Sequence, residues 1–260
     1  MKRFRRHWAL ASGLLALALS LAWAQKPKSK GEITAIQAVQ NAKTSDEQIA
    51  AIENVLTKYA DTEFKTALLQ MAVQIEEQKG DYAQTVFYAE RLVDSDPKNA
   101  FALATLAAET ARHTREFDLD KEEKLAKVDK WGKAAIEDAP ANPKPNANMP
   151  DAQWEAIKKD TQAQAYEALG MAATLRKKYD DAIADYKQAL AVSATQDPAN
   201  WIRLGQTYID ANKLDEAGDA FDKALTAPNA SAQVKSIAQS KKDEVAKRKA
   251  GAKPPGGSNF

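Results

Sequence analysis

Two stretches of the chain can be laid over each other without a gap. YEALGMAATLRKKYDDAIADYKQAL runs from Tyr166 to Leu190, and WIRLGQTYIDANKLDEAGDAFDKAL from Trp201 to Leu225. Tyr166 falls on Trp201, Leu169 on Leu204, Gly170 on Gly205, Ala182 on Ala217, Tyr186 on Phe221 and Ala189 on Ala224, each pair 35 residues apart. A fixed period of this length marks units that cannot bury their apolar face alone and must stack on one another. Within the second copy, Trp201, Leu204 and Tyr208 recur at the spacing of one helix face. Gly205 sits beside that stripe, although glycine inside a helix costs about 1 kcal/mol relative to alanine. A close helix crossing accounts for it. The following helix would lay Phe221 over Gly205, with Ala217 and Ala224 small on the facing side. Bulk at Gly205 would overpack the contact by about 1–3 kcal/mol.

The spacing W-x2-L-G-x2-Y, then A-x3-F, then A resembles the tetratricopeptide repeat (TPR), and Trp201, Leu204, Gly205, Tyr208, Ala217, Phe221 and Ala224 match it residue for residue. The preceding copy departs once, with Ala173 where an aromatic is usual. The resemblance implies an all-α, right-handed α-α superhelical solenoid of TPR-like helix pairs. It is weaker upstream. Gly80–Asn99 reads as the second half of a repeat, Phe64–Gln78 as its first helix and Ser45–Thr62 as another second helix, with Ala50 and Thr85 in 35-residue register. A copy stretched by an insertion around REFDLDKE covers Ala100–Asp138. The expectation is two clear repeats and about three divergent ones.

Working outward, residues 1–24 read as a secretory signal peptide. Lys2, Arg3, Arg5 and Arg6 precede the apolar run Trp8–Ala24, which ends in Ala22-Trp23-Ala24 before Gln25. The alternative is an uncleaved membrane anchor, although 17 residues fall short of the roughly 20 that a span takes. Cleavage would remove four cations from a chain of net +1, leaving −3. The expected location is therefore the periplasm or the exterior. There is no cysteine, so neither a disulfide nor lipid attachment at a cleavage-site cysteine is available.

The remaining organisation is read as a linker at 25–31, divergent repeats over 32–138, a Pro/Asn-rich connection at 139–150, two repeats over 151–229, a capping helix at 230–249 and a disordered tail at 250–260. Helix breakers and caps are expected at Asp96-Pro97, Asp197-Pro198 and, as a capping box, Ser45 with Gln48. A single helix is expected from Asp151 to about Lys178, about 40 Å long, with Trp154 on its extra turns covering the connection.

The chemical inventory is sparse. His113 is the only histidine beyond the leader, and with no cysteine there is no zinc set. It is read as a basic residue suiting the end of a helix. Ser95-Asp96-Pro97-Lys98 spells S-x-x-K on a turn, an accidental match. No cofactor, metal site or catalytic residue is expected, and an enzyme with an unrecognised carboxylate pair is the third reading. From Gln233 to Lys253, seven Lys/Arg oppose Asp243 and Glu244. Such a helix could touch anionic lipid, but it lacks aromatics for stacking on bases, so nucleic acid is not expected.

What remains is a binding surface. The resemblance implies a concave face lined by the first helix of each repeat, here Gln164, Glu167, Met171 and Thr174, then Ile202, Gln206, Ile209 and Asp210, with Gln70, Gln74, Glu77 and Phe101 upstream. Ile202 and Gln206 stand where family members that clamp a terminal carboxylate would begin their clamp, so that ligand is not expected. Met171, Ile202 and Ile209 suit an amphipathic segment of a protein or peptide partner. The alternative is an envelope assembly factor held at a membrane by the basic helix or the leader.

Overall fold

The computed structural model describes residues 26–145 and 148–252. The expected leader and most of the expected tail lie outside them. The described residues form eleven α-helices and no strand. Five pairs follow one another: α1 (Lys30–Asn41) with α2 (Ser45–Lys58), α3 (Lys65–Lys79) with α4 (Tyr82–Ser95), α5 (Ala100–His113) with α6 (Lys121–Asp138), α7 (Asp151–Leu175) with α8 (Tyr179–Val192), and α9 (Pro198–Asp210) with α10 (Leu214–Thr226). A last helix, α11 (Ala232–Ala252), packs on α10 and α9, burying Ala238 and Val245. This is an all-α solenoid. Among the A helices, the first of each pair, α5 packs closely on α7, and α9 meets α11; elsewhere successive pairs join chiefly through the second (B) helix of one and the A helix of the next. The resemblance assigns the A helices to the inner row.

Helix ends obey local chemistry. Asp197 caps α9, accepting from Ala199 N at 2.9 Å, with Pro198 in the first turn. Two expected caps are displaced. Thr44, not Ser45, caps α2, accepting from Glu47 N, while the Glu47 carboxylate accepts from Lys43 N at 2.8 Å. Asp96 follows the last residue of α4, and α5 starts behind Asn99, which accepts from Ala102 N. Pro97 lies in the turn between. The turns from A to B helix close with left-handed residues: Gly80 (φ 70°), Lys177 (φ 60°) and Asn212 (φ 57°). The next residues, Asp81, Lys178 and Lys213, donate back to Glu76, Ala173 and Tyr208 carbonyls, satisfying helix ends in the Schellman manner. This turn ends α7 at Leu175, three residues before the expected limit. The 35-residue register of Ala50 with Thr85 also fails, since Ala50 is exposed and Thr85 buried. Ile52, Val55 and Leu56 are the buried positions of α2, and Thr85, Tyr88, Ala89 and Leu92 those of α4, so the buried positions superpose at an offset of 33.

The connection after α6 is tied down. Asn142 Nδ2 donates to Lys98 O (2.8 Å) and Asp138 O (3.2 Å), and its Oδ1 accepts from Ala100 N (3.0 Å). Trp154 Nε1 donates to Asn142 O at 3.2 Å, so the extra turns of α7 do cover the connection. The same extension carries Asp160, whose Oδ1 accepts from Ser193 Oγ, Ala194 N and Thr195 N in the α8–α9 loop.

Candidate functional site

Neighbouring helices approach closely where small residues stand at their crossings. A Cβ built on Gly205 would stand 2.6 Å from Phe221 Cε1, and one on Gly170 2.9 Å from Tyr186 Cε1. Real side chains do not approach so closely, so each glycine is required by the aromatic ring on its B helix. A third crossing is also tight: a Cβ on Gly132 of α6 would stand 3.0 Å from Leu169 Cδ2 of α7. Ala107, Ala108 and Ala111 of α5 share a buried cluster with Ala168 and Ala172 of α7, so small side chains let these two A helices pack closely. Tyr186 is buried, and burial pushes its hydroxyl up to about 12, so it stays neutral beside Thr174.

On this frame the expected groove residues separate into two groups. Gln164, Met171, Thr174, Ile202 and Gln206 are half-buried, and Asp210 is exposed, as residues flooring an open surface should be. Gln70, Gln74, Glu77 and Phe101 are half-buried too. Glu167 and Ile209 are corrected: they are 2% and 3% exposed. Arg203 of α9 reaches across to the Glu167 carboxylate at 3.3 Å, covering it. Ile209 belongs to the C-terminal core with Leu204, Tyr208 and Phe221. Trp201 is half-buried rather than buried, with the Lys223 ammonium 4.4 Å from its ring.

Sequence reasoning missed Arg203 and the ties between repeats. Arg203 and Glu167 are 36 residues apart, one repeat and one residue. Lys213 pairs with Asp180 at 2.7 Å across 33 residues, and Lys249 with Asp215 across 34. The bond from Lys213 holds the Asp180 carboxyl below the usual carboxylate range. An opposite charge about one period away was the signal available. These exposed pairs fix register more than they stabilise.

The floor is largely uncharged. Gln70, Gln74, Gln164 and Gln206 supply amides that both donate and accept. Gln206 Nε2 donates to Asp210 Oδ1 at 2.9 Å, and Thr174 Oγ1 to Gly170 O at 2.8 Å. Among the described residues no group of three His, Asp or Glu is placed to hold a metal ion. His113 stands in the last turn of α5, stacked on Tyr82 with centroids 3.9 Å apart, its Nδ1 2.9 Å from Glu109 O. Lys98 lies outside any helix, and its carbonyl is taken by Asn142.

Residues 173–240, from the end of α7 into α11, match the family model of the tetratricopeptide repeat. These residues carry tetratricopeptide repeats. Among curated proteins none matches the chain. Among solved structures, a thermophilic TPR protein in Thermus thermophilus is similar, with a TM-score of 0.51 and 18% identity over 88% of this chain and 97% of that one. At that identity the likeness is one of fold. It extends the TPR architecture beyond the matched segment to the divergent upstream pairs.

Proposed function

We propose that this TPR protein is a non-catalytic scaffold that is exported and captures a segment of a protein partner on its inner face. The observation that carries the reading is the pair of half-buried apolar side chains Met171 and Ile202, on the A helices of successive repeats and packed against one core cluster, with the amides of Gln164 and Gln206 on the same helices. Apolar side chains on successive A helices suit the face of an amphipathic segment, and the glutamines can serve a peptide's polar groups. Export rests on the basic-apolar-small order of residues 1–24.

The membrane-held alternative draws less support. No helix among the described residues is long and apolar enough to cross a membrane, and the leader lies outside them, so the comparison rests on the basic helix. Of the six cations on α11, Lys241 and Arg248 pair with Glu244, Lys242 with Asp222 and Lys249 with Asp215, leaving little free charge for anionic headgroups. Two experiments test the proposal. Affinity purification of the intact chain from its native cells, read by mass spectrometry, should return a partner that is lost with Met171→Glu plus Ile202→Glu while helicity is unchanged. A partner retained by that variant would defeat the groove reading. Cell fractionation should recover the chain outside the cytoplasm and free of washed membranes; recovery in the membranes alone would favour the alternative.

A further inference from the structure

Residues 26–29 stand in the stretch expected as a linker, yet they are strapped to the turn between α2 and α3. Lys26 N donates to Glu63 Oε2 at 3.0 Å, and Lys28 Nζ donates to Asp61 Oδ2 at 2.7 Å and to the Asp61 carbonyl at 2.6 Å. Lys28 N donates to Glu32 Oε2 at 2.5 Å, while Glu32 Oε1 accepts from Thr62 Oγ1 at 2.6 Å. Glu32 is 1% exposed and Thr62 6%, so both oxygens of a buried carboxylate depend on this closure. Ser29 then caps α1, accepting from Glu32 N at 3.1 Å. The seam is tight at Gly31, where a Cβ would stand 2.6 Å from Tyr59 Oη.

The buried bonds, not the exposed ion pair, hold the strap. Lys28 and Asp61 are both largely exposed, so their pairing fixes position more than it stabilises. Peeling the Lys28 amide away would leave a desolvated Glu32 oxygen without its donor, which folded chains avoid. The expected cleavage point, Ala24–Gln25, lies outside the described residues, and Lys26 is the second residue past it. Hydrolysis there takes up one water and leaves a carboxylate on Ala24 and an ammonium on Gln25. An extended peptide is gripped through its main-chain hydrogen bonds, and a protease needs those groups free on both sides of the cut. Backbone already bonded to the fold is not free, so susceptibility follows from that bonding rather than from nearness to the terminus.

We propose that residues 26–29 are a folding-sensitive strap: leader removal has to come before α1 and the α2–α3 turn close on each other, and a chain that folds first keeps its leader. The proposal rests on the reading of residues 1–24 as a cleavable leader. Strap and protease compete for one stretch of backbone, so the fraction of folded chain with its strap open sets the rate of cutting. The order of folding and cleavage then decides whether the product is a free protein or one that still carries its apolar leader.

The test uses the full-length chain with purified signal peptidase in detergent micelles, read by intact mass. Wild type diluted from urea into the peptidase should lose residues 1–24, and native wild type should be cut at least about tenfold more slowly. Asp61→Ala, Thr62→Val and Glu63→Ala together loosen the strap and leave residues 1–31 unchanged, so the peptidase meets the same junction. With helicity unchanged, the native triple variant should be cut about tenfold faster than native wild type. Trypsin should mirror this at the Lys28–Ser29 bond, slow in wild type and fast in the variant. Native wild type cut as fast as the urea-diluted chain, or a variant cut no faster than wild type, would overturn the proposal and leave the leader reading standing. If even the urea-diluted chain is not cut after Ala24, the leader reading fails and takes the proposal with it.

Discussion

Gly205 and Gly218 stand thirteen residues apart on consecutive helices, and the chain needs only one of them. Gly205 has the Phe221 ring within 2.6 Å of where a Cβ would be, whereas nothing lies within 4 Å of that point at Gly218. Alanine improves helix propensity by about 1 kcal/mol at either place. At Gly218 that gain is unopposed, and Gly218→Ala should stabilise the protein by about 0.5–1 kcal/mol. At Gly205 the displaced ring outweighs it, and Gly205→Ala should destabilise by about 1–3 kcal/mol. Urea midpoints at unchanged m-value would show opposite shifts. The Gly–aromatic pairs were legible because a glycine and a ring recurring together at one period point to a repeated close crossing. Glu167 was not, because the residue that covers it, Arg203, belongs to the next repeat. A second prediction concerns Asp185 on α8, whose carboxyl is pushed up to about 6 by burial first, then by Asp181 and Asp129, against the opposing Lys133. The native state holds a proton that the unfolded chain, at its ordinary 3.8, releases earlier. This contribution is therefore favourable at low pH, falls as pH rises from about 4 to 6, and stays lost above. Asp185→Asn should raise stability by about 1 kcal/mol at pH 7.5, discounted for partial exposure, with the advantage vanishing near pH 4 in parallel thermal melts.

At the scale of the element, the pairs are held in order by a few side chains at helix ends. Asn142 joins the α4–α5 turn to the connection after α6, and Asp160 gathers three donors of the α8–α9 loop. Replacing Asn142 by alanine leaves the Ala100 amide and the Lys98 carbonyl without their partner, which costs about 1–3 kcal/mol. Denaturation should register that loss, and hydrogen exchange at Ala100 should quicken more than exchange in α9. Helix existence was legible throughout, because Ala, Leu, Glu, Gln and Lys dominate and periodicity is sustained. Helix ends were less so. Thr44-Ser45 offers two adjacent capping hydroxyls, and sequence alone cannot choose between them; the structure uses the first. Lys177 carries no outward sign that it will turn left-handed, as Gly80 does. The Pro/Asn-rich run announced an irregular connection, but not that Asn142 would reach back 44 residues to Lys98.

Over the described residues, five helix pairs and a capping helix make one stack, each pair packed on the next. The number of pairs follows from the sequence, two by motif and three by weaker pattern, because each pair needs a neighbour to bury its face. The identity of what lies on the inner row does not follow, since its floor of amides, Met171 and Ile202 specifies a chemistry rather than a name. If a partner is held on this floor, the floor must lose solvent when the partner binds. Hydroxyl-radical footprinting of the chain with its co-purified partner reads that loss residue by residue, because oxidation of each side chain reports its own exposure. Met171 and Ile202 should become protected while Phe87, on α4, reacts as in the free chain. Protection of Phe87 with Met171 and Ile202 left as reactive as before would place the partner elsewhere and refute capture on the inner row.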